Sequence, residues 1–125
     1  MECLLLVELL AHCGVEDSSL DKEVTSAEYR EISRYLSQWK LVAPKLNITE
    51  EEVEAIENDE KKAEMQRIGF LRTWKQKFSM RATYRILIKA LLNIQRAEDA
   101  RGVCQLLKGI SRMIHPCMHA RTLCL

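Results

Sequence analysis

The sequence predicts an all-α protein, a six-helix antiparallel bundle forming one domain behind an N-terminal extension. Three observations carry this. Apolar residues recur three and four positions apart through the body of the chain, and no stretch alternates apolar and polar residues as a half-buried strand does. Only 4 Gly and 2 Pro occur in 125 residues, which suits rods joined by short turns better than a sandwich or barrel. With 47% hydrophobic and 30% charged residues, the chain can bury a modest core and lacks the composition of a disordered segment.

Residues 1–24 read as the extension. Its apolar run from Leu4 to Leu10 is broken by Glu8 and is too short to span a bilayer, which needs about 20 apolar residues. Glu2 stands where a signal peptide would carry a basic residue. The run has the length of two helical turns, which either pack on the body or form the tail of a preceding domain. Residues 25–110 form the body and residues 111–125 a flexible tail containing Pro116.

In the body, Thr25 and Glu28 have the spacing of a capping box, and Tyr29, Ile32 and Leu36 give the first helix its apolar face. The second helix covers about Gln38–Leu46, with Trp39, Val42, Ala43 and Leu46 inward. Pro44 falls inside it, at a cost of about 3 kcal/mol in a helix interior, so this helix is expected to be short or bent. The third has the clearest start. Thr49 caps it, Glu52 reaches back, and Ile48 meets Val53 as a hydrophobic staple. Glu50 and Glu51 fill its first turn, where the macrodipole favours negative charge, and Asn58 and Asp59 end it.

The fourth helix, about Lys61–Phe78, turns Met65, Ile68, Leu71, Trp74 and Phe78 inward. Gly69 in its middle costs about 1 kcal/mol against Ala and suggests that another helix passes close by. The fifth, about Arg81–Ile94, has an apolar stripe of Thr83, Leu87, Ala90, Leu91 and Ile94. Beside it Arg81, Arg85 and Lys89 stack like charges at i, i+4 and i+8, an arrangement that costs a few tenths of a kcal/mol per pair. A second apolar line, Tyr84, Ile88 and Leu92, points away from the first. It is either covered by the extension, the reading preferred here because a bare patch invites aggregation, or a contact surface. The sixth helix is expected over Ala97–Lys108, with Ala100, Val103 and Leu107 inward and Gly109 as its stop.

The net charge of +1 hides a sharp division. Residues 1–43 carry a net −4, residues 44–60 a net −6, and residues 61–112 a net +10. The chain is acidic first and basic afterwards. The 5 Cys (Cys3, Cys13, Cys104, Cys117 and Cys124) are odd in number and lack paired spacing, which points to a reducing, cytoplasmic setting without a disulfide framework.

Nothing in the sequence supports catalysis. It has no G-x-S-x-G, no Walker-type loop and no G-x-G-x-x-G, and 2 of its 3 His lie in the terminal tail. No catalytic residue, cofactor site or metal site is assigned. His115, Cys117, His119 and Cys124 are zinc-ligand types, but H-x-C-x-H is tighter than finger spacing and is read as incidental. The alternative reading is a helical nucleic-acid-binding module that uses the basic fourth and fifth helices. The acidic first half and the lack of base-reading residues near a helix start argue against it.

Trp39 followed by "LVAPKLNIT", then "EEVEAIE", "FLRTWKQKF" and "RATYRILIKALLNIQRAEDARGVCQLL" resembles the death domain over roughly residues 25–108. The matching positions are Trp39, Val42, Ala43, Leu46, Val53, Ile56, Leu71, Trp74, Ala82, Thr83, Leu87, Ala90, Leu91 and Ile94. Asn47 stands where the family usually has Gly, and Asn tolerates the left-handed conformation such a turn needs.

The resemblance implies a Greek-key six-helix bundle that binds other death domains and does no chemistry. Its charged, asymmetric contacts would build head-to-tail oligomers in apoptotic or inflammatory signalling; the lack of any apolar stretch of transmembrane length adds the expectation of no membrane contact. On that reading the candidate contact residues are a basic patch, Arg72, Lys75, Arg81, Arg85 and Lys89, and an acidic patch, Glu50, Glu51, Glu54, Glu57 and Asp59.

Overall fold

Helix starts are written in the chain's capping residues, and the fold follows them. A computed structural model describes residue 9 and residues 14–124, with side chains at residue 9 and through residue 110 apart from residue 17. From residue 14 onward the described residues form six α-helices: α1 Tyr29–Ser33, α2 Trp39–Lys45, α3 Glu50–Asp59, α4 Ala63–Phe78, α5 Tyr84–Asn93 and α6 Ala97–Cys124. Short 3-10 turns lie at Asp17–Asp21, Ser26–Glu28 and Ser79–Arg81. Among the described residues the only extended pairing is one isolated antiparallel bridge, Glu23 with Thr83.

α3 begins as its sequence requires. The Thr49 N–H donates to Glu52 Oε1 at 2.9 Å, and the Glu52 N–H donates to Thr49 Oγ1 at 3.2 Å. The Thr25/Glu28 box also forms, but it opens a 3-10 turn, and α1 follows from Tyr29. α2 is seven residues long and tolerates Pro44 because its end is near. The Leu46 N–H reaches the carbonyls of Val42 and Ala43, and the Ile48 N–H also reaches Ala43. Asn47 then turns the chain at φ 61°, the left-handed geometry expected of it.

α4 touches α1, α2 and α3, α5 packs along α6 and against α2, and α1 also meets α6. These non-sequential neighbours make a death-domain-like bundle rather than an up-down array. Because α4 has neighbours on several sides, its buried set is wider than one stripe. Phe70, absent from the expected inward set, is fully buried, with its ring centroid 5.5 Å from that of Trp39. Leu71 and Trp74 are buried as expected, while Met65, Ile68 and Phe78 are half-buried.

Two glycines mark close approaches. A Cβ on Gly69 would meet Ile56 Cγ2 of α3 at 3.4 Å, ordinary contact, so the expected neighbour is present. The tighter position is Gly102, where a Cβ would lie 2.2 Å from Tyr35 Cε1. The ring of Tyr35 therefore lies directly on the backbone of α6.

Two expectations need correction. Arg81 lies in the Ser79–Arg81 turn, not in α5, because Thr83 is the residue that opens the helix. The three-charge stack on α5 therefore reduces to Arg85 and Lys89. Gly109 does not stop α6, which runs to Cys124; nothing lies within 4 Å of where its Cβ would be, so the helix continues at the cost of about 1 kcal/mol that an exposed glycine imposes. As for the second apolar line of α5, residues ahead of the body pack against it. Leu9, Val15, Leu20 and Val24 belong to the buried cluster together with Tyr84, Ile88 and Leu92. The turn Asp17–Asp21 contacts both α5 and α6. The second apolar line of α5 is thus covered. Of the run Leu4–Leu10, only Leu9 falls within the described residues, where it is helical and buried.

Candidate interaction surfaces

The basic residues singled out in the sequence divide into two sets. Lys75 pairs with the Glu23 carboxylate and also donates to the Ser79 carbonyl at 3.2 Å. Arg85 Nε lies 3.0 Å from Asp21 Oδ1. Acids of the extension therefore compensate these two cations, which serve the fold. This relieves the like-charge cost on α5, since Arg85 faces a carboxylate.

Arg72, Arg81 and Lys89 have no ion pair among the described residues. Arg72 is exposed on α4, whereas Arg81 and Lys89 flank Ile86. Sequence reasoning passed over Lys45 and Ile86, which belong with them: Lys45, Trp74, Phe78, Arg81 and Ile86 line one cleft of about 200 Å³. The available signal was that Ile86 falls on neither apolar line of its helix.

On the acidic side, Glu50, Glu51, Glu54 and Asp59 are exposed on α3, while Glu57 pairs with Lys40. Glu52 has a different role. Lys77 Nζ lies 2.8 Å from its Oε1 and 2.5 Å from the Asn47 carbonyl, tying α4 to the start of α3. The hydrogen bond from Lys77, then that from Thr49, holds the Glu52 carboxyl below the usual range. The ion pairs of α3 run to Lys40 and Lys77, not to the cations of α5.

A half-buried polar cluster joins the extension to the bundle. The Tyr84 hydroxyl donates to Glu28 Oε1 at 2.7 Å, Lys22 Nζ lies 3.4 Å from the same oxygen, and Thr25 donates its hydroxyl to Oε2. Burial pushes the Glu28 pKa up, but the bonds from Thr25 and Tyr84 and the charge of Lys22 outweigh it and hold the group below its ordinary value. Burial, with Glu28 beside it, raises the Tyr84 phenol well above its usual range.

A carboxyl with a lowered folded pKa stabilises the protein fully above its ordinary value of 4.5 and loses that contribution as pH falls through the folded value. Tyr84→Phe is therefore expected to cost about 1.5–3 kcal/mol at neutral pH. The difference from the unmodified protein should shrink below about pH 4.5 in urea unfolding. An equal difference at both pH values would mean that the hydroxyl does not serve the carboxylate.

Among the described residues no group of His, Cys, Asp and Glu is arranged to hold a metal ion. The tail residues His115, Cys117, His119 and Cys124 lie outside the described side chains. No described helix is long and apolar enough to cross a membrane.

The fold is a helical bundle that exposes carboxylates on α3 and cations around Ile86. The death domain family model matches residues 30–108, well over half the chain, and the chain belongs to that family. Death domains are protein interaction modules of signalling rather than enzymes, and their partners are other death-fold domains. No curated protein and no solved structure matches the chain.

Proposed function

We propose that the protein is a homotypic interaction module, an adaptor or receptor-tail death domain acting in the cytoplasm. It recruits other death domains in apoptotic or inflammatory signalling through head-to-tail contacts between an acidic and a basic face. One observation carries this reading: exposed carboxylates on α3 and, around Ile86, cations without an ion pair among the described residues belong to different elements of one helical bundle. Unlike patches on one molecule make a heterologous contact, which propagates unless it closes into a ring. Complementary charge speeds encounter and fixes partner choice more than it raises affinity.

Light scattering is the test, with salt raised from about 0.1 M to about 1 M, over which the Debye length falls from about 10 to about 3 Å. Association at low salt that disappears at high salt, together with capture of a death-domain partner, is the expected result. A monomer at every salt concentration that captures no death domain would overturn the reading. Gel-shift binding of nucleic acid with a steep salt slope would replace it with a nucleic-acid-binding module.

A further inference from the structure

We propose that the cleft around Ile86 is the seat for the acidic face of α3 from a second copy of this chain. The proposal rests on the homotypic reading and gives it a location.

Ile86 is 40% exposed on α5, on the same helix face as Lys89. Lys45, from the last turn of α2, and Arg81, from the turn before α5, stand around it, with Trp74 and Phe78 lining the same cleft. An exposed branched aliphatic side chain among three cations is an unusual surface, because the isoleucine gains from burial and the cations resist it. The other cations of this region are already used: Lys75 by Glu23, Lys77 by Glu52, Arg85 by Asp21. Lys45, Arg81 and Lys89 have no ion pair among the described residues. An occupant that covered Ile86 with apolar surface and brought carboxylates to these three positions would satisfy both demands.

The chain carries such an occupant. α3 exposes Glu50, Glu51, Glu54 and Asp59, with the small residue Ala55 between them, also exposed. Glu51, Ala55 and Asp59 recur at i, i+4 and i+8, so two carboxylates flank a methyl group along one line of the helix. Ala55 lets the α3 backbone approach Ile86 closely, where a larger side chain would hold the helices apart. Within the molecule no α3 carboxylate pairs with Lys45, Arg81 or Lys89 among the described residues: Glu52 goes to Lys77 and Glu57 to Lys40. The proposed contact is with a second copy, and since each copy carries both halves it repeats head to tail.

Two charge reversals test this by sedimentation at low salt, with melting curves to establish that each variant is folded. One variant carries Arg81→Glu and Lys89→Glu, the other Glu51→Lys and Glu54→Lys. Each alone is expected to lose self-association, and an equimolar mixture is expected to regain it, because each reversed face then meets its complement. Ile86→Ala, which alters no charge, should weaken association about tenfold.

Self-association by the cleft variant as tight as that of the unmodified chain would overturn the proposal, as would a mixture of folded variants that stays monomeric. An unmodified chain that captures another death domain without self-associating also overturns it and leaves the homotypic reading standing. Capture of no death domain in either form would remove both.

Discussion

Removing residues 1–24 is expected to unfold the domain rather than trim it. Leu20 and Val24 are fully enclosed, and beneath them lie Tyr84 and Ile88, equally enclosed. The backbone is also joined across this seam. The Val24 N–H donates to the Ala82 carbonyl at 2.9 Å, and the Tyr84 N–H donates to the Lys22 carbonyl at 3.1 Å. Leu20→Ala alone should cost about 2–5 kcal/mol, the range for deleting a buried leucine side chain. Total stabilities of about 5–15 kcal/mol leave little after such a loss. Truncation also takes away Val15, Val24, both backbone bonds and the carboxylates facing Lys75 and Arg85. Urea unfolding of residues 25–125 should therefore show no cooperative transition, or one at a much lower midpoint. A midpoint equal to that of the whole chain would mean that the extension only decorates the bundle.

Trp74→Ala should have the second large effect. The indole is 1% exposed on α4 and lies under the cleft that opens at Ile86 and Arg81. Deleting it removes a large apolar surface and leaves a void that rigid neighbouring helices fill only in part, a loss of about 3–5 kcal/mol. Trp74→Phe keeps an aromatic ring in the space and should cost clearly less. Denaturant midpoints at unchanged slope would measure both. A cost below about 1 kcal/mol for the alanine variant would show that the site collapses freely, and the cleft would then have no firm floor.

Much of the bundle is legible in local sequence because helix starts and faces are local. Thr49 with Glu52, Thr25 with Glu28, and the line Ala100, Val103, Leu107 each depend on residues within a turn or two, and each appears where the spacing puts it. What escaped depends on distant partners. Asp21 and Arg85 are 64 positions apart and Glu23 and Lys75 are 52 apart, so no window of sequence reveals that these cations are compensated. Phe70 escaped because one periodic stripe cannot describe a helix enclosed from several sides. Arg81 was assigned to α5 because charge spacing alone does not distinguish a 3-10 turn from the first turn of a helix. In the candidate site, the acidic half was legible from composition. The basic half had to be divided by pairing, and Lys45 and Ile86 entered only when α2 and α5 came together.

The seam between the extension and α5 also sets an order of events during synthesis. Leu20 and Val24 leave the ribosome some 60 residues ahead of the surface that will cover them. At about 5–20 residues per second they wait roughly 3–12 s in water. During that interval the nascent segment is an apolar ligand without a receptor, and a chaperone that grips short leucine-rich stretches would find it before α5 does. The residues that complete the bundle are thus made ahead of the helices that house them.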